Sequence, residues 1–315
     1  MSGTVREYVG SRPVVGLAVA VAAVSTSAPL VELSAAPSSV KAFYRVLFMT
    51  CLVAPVALRQ SPGDFRRITS RDLGLAVVAG VALAAHFALW FASIDLTTIA
   101  ASATLVQTQP LFVAVGAWLF LRDKVTRRTV AGIVVAVAGA ALIGLDAGES
   151  ATATDPLLGN VLAVVAAAMA ASYVLAGRSL RQRIRLFPYV TVVYGACTVV
   201  LFGTVLAEGH ALLDYPPREY ALFLAMAVGP GIFGHTVINW LLDRVESAVV
   251  SVSLLGEPLG AALLALALFA EVPGVLTVVG GAVALVGIGI TVWTRERGDE
   301  SSGGTGEDDA DVPSD

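Results

Sequence analysis

A carboxylate inside an apolar run is the sharpest chemical feature of this chain. Glu257 lies about midway along the stretch 246–270, with Pro258 directly after it. A charge at the centre of a bilayer costs about 2.5 kcal/mol or more, so such a group is protonated, paired or turned toward water. Two readings stay open: Glu257 binds a proton, a cation or a cationic group, or it braces its helix by bonding carbonyls that Pro258 leaves free. Pro110 offers a second break, directly after Gln109. Each proline removes a backbone donor and crowds the preceding turn, so both stretches are expected to kink near their middle. His86 and Trp90 are four apart and share a helix face, as do His235 and Asn239. Each could line a cavity, bond a neighbouring carbonyl or, for Trp90, anchor a helix end at the interface. Gln107 and Gln109 are two apart and face different ways, and Gln109 is the better candidate for a ligand contact. Tyr173, Ser25 and Thr26 are weaker candidates of the same kind. Glu32, Lys41 and Arg45 bracket a tight turn. They are expected to pair or to extend to the surface and fix that corner, with ligand capture or gating by Arg45 the alternative.

Enzyme signatures are missing. There is no His-Glu-x-x-His pair, no Gly-rich phosphate loop ending in Lys and Ser or Thr, and no Ser or Cys nucleophile beside a His. No catalytic residue, metal ligand or cofactor is therefore assigned. The two cysteines, Cys51 and Cys197, both lie in apolar stretches and read as packing residues, too few for a disulfide framework.

The elements that must hold these side chains are greasy. With 57% hydrophobic residues, 14% charged residues and a mean hydropathy of +0.81, the chain of 315 residues needs lipid as its solvent. Ten stretches have spanning length, near 13–33, 39–58, 73–94, 97–121, 128–145, 157–177, 187–206, 219–242, 246–270 and 274–294. The first is read as a retained helix and not a cleaved signal. Much of the formal charge of −4 comes from the acidic tail, and the rest of the chain is slightly basic.

Basic residues alternate between loops. Arg6 and Arg12 precede the first stretch; Arg59, Arg66, Arg67 and Arg71 follow the second; Arg122, Lys124, Arg127 and Arg128 follow the fourth. Arg178, Arg181, Arg183 and Arg185 follow the sixth, Arg244 the eighth, and Arg295 with Arg297 the tenth. That puts 17 of the 20 lysines and arginines on one side. Positively charged loops stay cytoplasmic, so both termini are expected in the cytoplasm of a multi-pass cell-membrane protein. The Arg clusters are contacts for anionic lipid and not a nucleic-acid site.

Shifting the sequence by 148 residues aligns 99–143 with 247–291 without a gap and gives eleven identities in 45 positions. Pro110 falls on Pro258, Gln109 on Glu257, Gly132 on Gly280, Gly139 on Gly287 and Asp123 on Glu271. His86 and Trp90 fall near His235 and Trp240. Five spans per half is an odd number, so the second half is expected to run through the membrane opposite to the first. Inverted repeats with paired helix breaks are a frequent plan of secondary transporters, with the site at the midplane between the halves.

The segment Ala85-His86-Phe87-Ala88-Leu89-Trp90-Phe91-Ala92 and the turn Gln107-Thr108-Gln109-Pro110-Leu111 resemble the EamA-type domain of the drug/metabolite transporter superfamily. Asn239-Trp240, Leu255-Gly256-Glu257-Pro258, Glu271, Gly280 and Gly287 resemble its second copy, and Ala42-Phe43-Tyr44-Arg45 resembles its second helix. Helix 1 departs from the pattern, reading Ser25-Thr26-Ser27-Ala28-Pro29 where many members have Trp-Gly. The resemblance covers roughly residues 13–294. It implies an all-α integral membrane protein of ten helices around a central cavity that transports amino acids, metabolites, sugar conjugates or drugs, often outward. On this reading 1–12 is a cytoplasmic N-terminus, 13–145 the first repeat, 146–156 an extracytoplasmic linker, 157–294 the second repeat and 295–315 an acidic disordered cytoplasmic tail.

The function expected is secondary active transport of a small solute by alternating access, with a proton or cation as the coupling partner. The cavity is expected mainly between spans 1, 3, 4, 6, 8 and 9. The alternative is a non-transporting membrane scaffold or sensor that keeps the fold. Partners are the solute and the bilayer, and the oligomer is a monomer or a homodimer.

Overall fold

The computed structural model describes residues 2–96, 102, 105–121, 126–146, 155–257, 259–260, 263–264, 267 and 274–302. Among the described residues every regular element is a helix. In chain order they are α1 (Ser2–Ser25), α2 (Ser27–Glu32), α3 (Ser38–Gln60), α4 (Pro62–Phe65), α5 (Ser70–Leu96), α6 (Gln109–Gly116), α7 (Arg127–Asp146), α8 (Pro156–Arg181), α9 (Leu186–Ala207), α10 (Pro217–Met226), α11 (Val237–Leu241), α12 (Ser247–Ser253) and α13 (Val275–Ser302). A π-helical turn, Ala117–Leu121, extends α6. A longer π-helical segment, Ala227–Thr236, joins α10 to α11.

Among the described residues six helices are long and apolar enough to cross a membrane: Arg12–Val31, Ser38–Gln60, Ser70–Ser93, Pro156–Arg181, Leu186–Ala207 and Pro217–Leu241. They coincide with six of the expected stretches. Shorter apolar helices, Gln109–Leu121, Ser247–Gly256 and Val278–Ile290, fall on three more, and α7 coincides with 128–145. The chain is a multi-pass, all-helical membrane protein.

Local chemistry sets the helix ends. Pro62, Pro156 and Pro217 each stand in a first turn, where the missing N–H costs no helical bond. Asp155 caps α8 by accepting from the Leu158 N–H at 3.2 Å. Gly209 closes α9 with φ +71°, and His210 N–H reaches back to the Val205 carbonyl at 3.2 Å. Two ends differ from expectation. α1 begins at Ser2, well before residue 13, and α13 continues through Ser302, past the expected tail boundary at 295. No proline interrupts 294–302, so nothing in that stretch removes a helical donor.

The packing repeats with the halves exchanged. α5 packs on α8 and α9; in the other half the segment from α10 to α11 packs on α1 and α3. Two further contacts map onto themselves. Where α3 crosses α9, the Thr50 and Thr198 hydroxyls meet at 3.2 Å, and these residues are 148 apart. Where α7 crosses α13, a Cβ on Gly139 would stand 2.4 Å from Ala284 N and 2.6 Å from Gly280 O. A Cβ on Gly287 would stand 2.4 Å from Ala136 N and 2.6 Å from Gly132 O. The same shift of 148 exchanges both sets of partners. Only glycine lets these two backbones touch, the small-residue packing that serves helices in lipid.

Candidate functional site

Helix breaks frame the centre of the bundle. α1 ends at Ser25, and at the break the Thr26 hydroxyl bonds the Ala23 carbonyl at 2.6 Å. Ser25 Oγ bonds the Val21 carbonyl at 2.8 Å and reaches across to the Glu257 carbonyl at 3.2 Å. Ahead of α6, Thr108 N–H and its hydroxyl both turn back to the Leu105 carbonyl. Pro110 is then buried in the first turn of α6. This sharpens the expected kink: Pro110 starts a new helical segment after a turn, in place of bending one continuous helix. Pro258 and the pairing of Asp123 with Glu271 lie outside the described residues. Ahead of Glu257, α12 tightens into a 3-10 turn, Leu254–Gly256.

Arg45, from α3, occupies the middle. Its side chain does not run to the surface as expected; the residue is only 4% exposed. Its Nη1 donates to Ser27 Oγ at 3.1 Å, and the guanidinium lies 5.0 Å from the centroid of the Phe87 ring. Its Nε is buried without a partner. The carboxylate within electrostatic reach of Arg45 is that of Glu257, with the hydroxyls of Tyr173 and Tyr194 also close enough to interact. A buried guanidinium is costly, and the Ser27 hydroxyl and the Phe87 ring face are its direct contacts, with the Glu257 carboxyl at longer electrostatic range. Lys41 does fix the corner, donating to the Val31 carbonyl at 3.1 Å. The Glu32 side chain lies outside the described set.

Both histidines lie within electrostatic range of this charge. His86 Nδ1 is 3.0 Å from the Ala166 carbonyl, and its ring stacks on Trp90 with centroids 6.0 Å apart. His235 packs edge-on to Phe87 at 5.8 Å and against Tyr173 at 6.1 Å, and its Nδ1 is buried without a partner. Arg45 is in electrostatic reach of both. Trp90 is part-buried against His86 and Phe91, and its Nε1 is buried without a partner. Trp240, its counterpart in the repeat, lies apart, under the Arg244 guanidinium at 4.4 Å.

Asn239, which shares a helix face with His235, lies against it and Tyr173. Fully buried, it donates through Nδ2 to the Tyr173 hydroxyl, to the His235 carbonyl at 2.8 Å and to the Tyr194 hydroxyl at 3.5 Å. Its Oδ1 is left without a partner. Tyr194 in turn meets Thr236 Oγ1 at 3.1 Å. Glu257, His86, His235 and Tyr173 are therefore within electrostatic range of Arg45, while Trp90 joins through His86 and Asn239 through Tyr173. Gln109 is part-buried at the start of α6 and, like Gln107, makes no hydrogen bond among the described residues. Thr26 is occupied by its own helix.

Sequence reasoning missed Phe87, Tyr194 and Thr236, and it placed neither α3 nor α9 at the site. Tyr194 shares its stretch with Tyr189, Thr191, Thr198 and Thr204, so no local signal singles it out. Phe87 sat within the quoted Ala85–Ala92 segment but carries no polar atom to flag it. A cavity of about 360 Å³ opens at the Ser38 end of the bundle, lined among others by Ser39, Ala42, Ala88, Phe91 and Leu201. Ala42 lies one turn before Arg45, and Phe91 one turn after Phe87, so the cavity stops one helical turn short of the cluster. Unpartnered donors and an acceptor, two opposite charges and stacked rings could together bind a small solute with a charged group and an apolar part.

The family described as "EamA-like transporter family" matches residues 13–145 and 157–293. An uncharacterized transporter of Archaeoglobus fulgidus is 24% identical over 257 residues, which is 81% of this chain and 88% of that protein. A probable terminal-alkyne amino-acid exporter of Streptantibioticus cattleyicolor is 26% identical over 241 residues, 76% of this chain and 80% of that protein. A crystal structure at 17% identity superposes with a TM-score of 0.76, covering 91% of this chain and 98% of the other, a likeness of fold.

Proposed function

Because the chain belongs to the EamA-like transporter family, within the drug/metabolite transporter superfamily, we propose that it is a secondary transporter that carries a small polar solute through the Arg45–Glu257 cluster by alternating access. The observation that carries this reading is a buried Arg45 with an unpartnered Nε, its guanidinium over the Phe87 ring and within electrostatic range of Glu257, which comes from a helix far away in sequence. A structural ion pair needs no such surplus of unpartnered polar atoms; a binding site does.

On this proposal the two segments 13–145 and 157–294 are inverted repeats of five spans each. Support comes from the exchanged contacts at Thr50–Thr198 and at Gly139–Gly287. The one-sided loop charges favour a cytoplasmic location for both termini. Glu257 takes part in proton or cation coupling or in recognition of a cationic group, and Arg45 meets an anionic one. Export is the favoured direction, in keeping with the name of the Streptantibioticus relative.

The test is binding. A panel of amino acids, amines and carboxylates is screened by thermal shift on the purified protein, since a ligand of the folded state raises its stability by mass action. Hits are expected to lose their shift in Glu257→Gln or Arg45→Gln. Hits that keep the same affinity in both variants would remove the cluster from recognition.

A further inference from the structure

The halves touch again beyond the central cluster, at both ends of the bundle. At the Ser38 end, Glu219, in the first turn of α10 and only 3% exposed, accepts from Ser34 Oγ. It also accepts from the Ala35 N–H at 3.2 Å. Tyr44 adds a bond to the Leu212 carbonyl. At the Gln60 end, Asp72, in the first turn of α5, accepts from Arg183 at 2.9 Å. Asp64 accepts from Arg185 at 3.4 Å. α3 separates the two ends by about 34 Å, at 1.5 Å per residue.

These two contacts correspond under the repeat. Ala35 plus the shift of 148 is Arg183, and Asp72 plus the same shift is one residue from Glu219. Each is therefore an acid in the first turn of the third helix of one half, bonded to the chain between the first two helices of the other half. In one copy the contact closes the Ser38 end; in the other it closes the Gln60 end. An acid at a helix N-terminus is favoured by the helix dipole, so neither contact need serve any further purpose by position alone. What sets them apart is that each bond crosses from half to half. Bonds that join the halves at one end must break for that end to open.

We propose that Glu219 and Asp72 are equivalent gate residues that hold the two ends of the transport path shut, and that the difference between them sets which end opens first. The Glu219 contact is buried and made of two hydrogen bonds, whereas Arg183 is 52% exposed at its ion pair. The Gln60 end is the weaker gate and opens more readily. On the charge assignment that end is cytoplasmic. This inference rests on the alternating-access reading above.

Distances between spin labels on the full-length protein in lipid nanodiscs test it. One label pair sits at Leu33 and Leu213, the other at Arg66 and Gln182, in a Cys51→Ser background. Glu219→Ala and Ser34→Ala each lengthen the first distance and shorten the second, shifting the population ratio about tenfold, as expected for lost buried hydrogen bonds to a carboxylate. Asp72→Ala and Arg183→Ala do the reverse, by about threefold for one exposed ion pair. A wedge, Ala36→Trp, separates the two levels of the claim. If the wedge opens the Ser38 end and closes the other while the four gate variants match the wild type, the gate assignment is overturned and alternating access stands. If the wedge opens the Ser38 end without closing the other, alternating access falls and the gates fall with it.

Discussion

Adding one methyl group at Gly139 puts the closest packing of the fold to the test. An alanine Cβ there would lie 2.4 Å from Ala284 N, 2.6 Å from Gly280 O and 2.8 Å from Ala284 Cα. That is about 1 Å inside ordinary van der Waals contact, and every atom it meets is backbone, which cannot rotate aside. The helices must part or shift, at about 1–3 kcal/mol for overpacking, offset by roughly 1 kcal/mol of helix propensity gained over glycine. The net runs from about zero to a loss of about 2 kcal/mol for Gly139→Ala, and the same for Gly287→Ala, whose partners are the exchanged ones; both fall about 1–3 kcal/mol below a glycine whose added methyl meets no clash. The double variant is expected to be less destabilised than the sum, because the first methyl already parts the backbones. Gly195→Ala and Gly203→Ala are the controls, since a Cβ at either meets nothing within 4 Å. Apparent melting in detergent reads the difference, at about 2–4 °C per kcal/mol for a chain of this size. If Gly139→Ala melts with the controls, the close crossing of α7 and α13 is not what the structure indicates.

Two further expectations concern contacts between helices. Thr50→Ala and Thr198→Ala each remove one hydroxyl from the α3–α9 crossing. A double-mutant cycle should give a coupling of about 0.6 kcal/mol, the usual size for such bonds in membranes, and zero coupling would deny the contact. Arg181 is 6% exposed, donates to the Asn239 carbonyl at 3.0 Å and the Ile184 carbonyl, and pairs with Asp243 at 3.5 Å. Arg181→Leu strands those carbonyls and should lower stability by about 3 kcal/mol, more than Asp243→Asn, whose carboxylate is partly solvated. Equal melting of the two variants would contradict this.

Much of the scaffold was legible because lipid leaves few choices: apolar runs of spanning length must be helices. Gly139 and Gly287 were marked by the repeat, and the structure shows what they are for. Side-chain direction was less legible. Arg45 read as a surface residue because it stands seven positions after the turn at Ser38, yet it points inward onto Phe87. Asn239 was marked by its spacing of four from His235, while its sequence neighbour Trp240 faces elsewhere, under Arg244. Phe87 and Tyr194 depend on tertiary neighbours that no local pattern encodes.

Flux tests the central claim most directly. Solute counterflow into proteoliposomes is measured for a compound identified by binding, with the wild type beside Glu257→Gln and Arg45→Gln. The account predicts saturable exchange by the wild type, loss of at least tenfold in either variant at unchanged folding, and a changed response to an imposed pH gradient in Glu257→Gln. Wild-type exchange that survives both substitutions with its rate and pH response intact would contradict it.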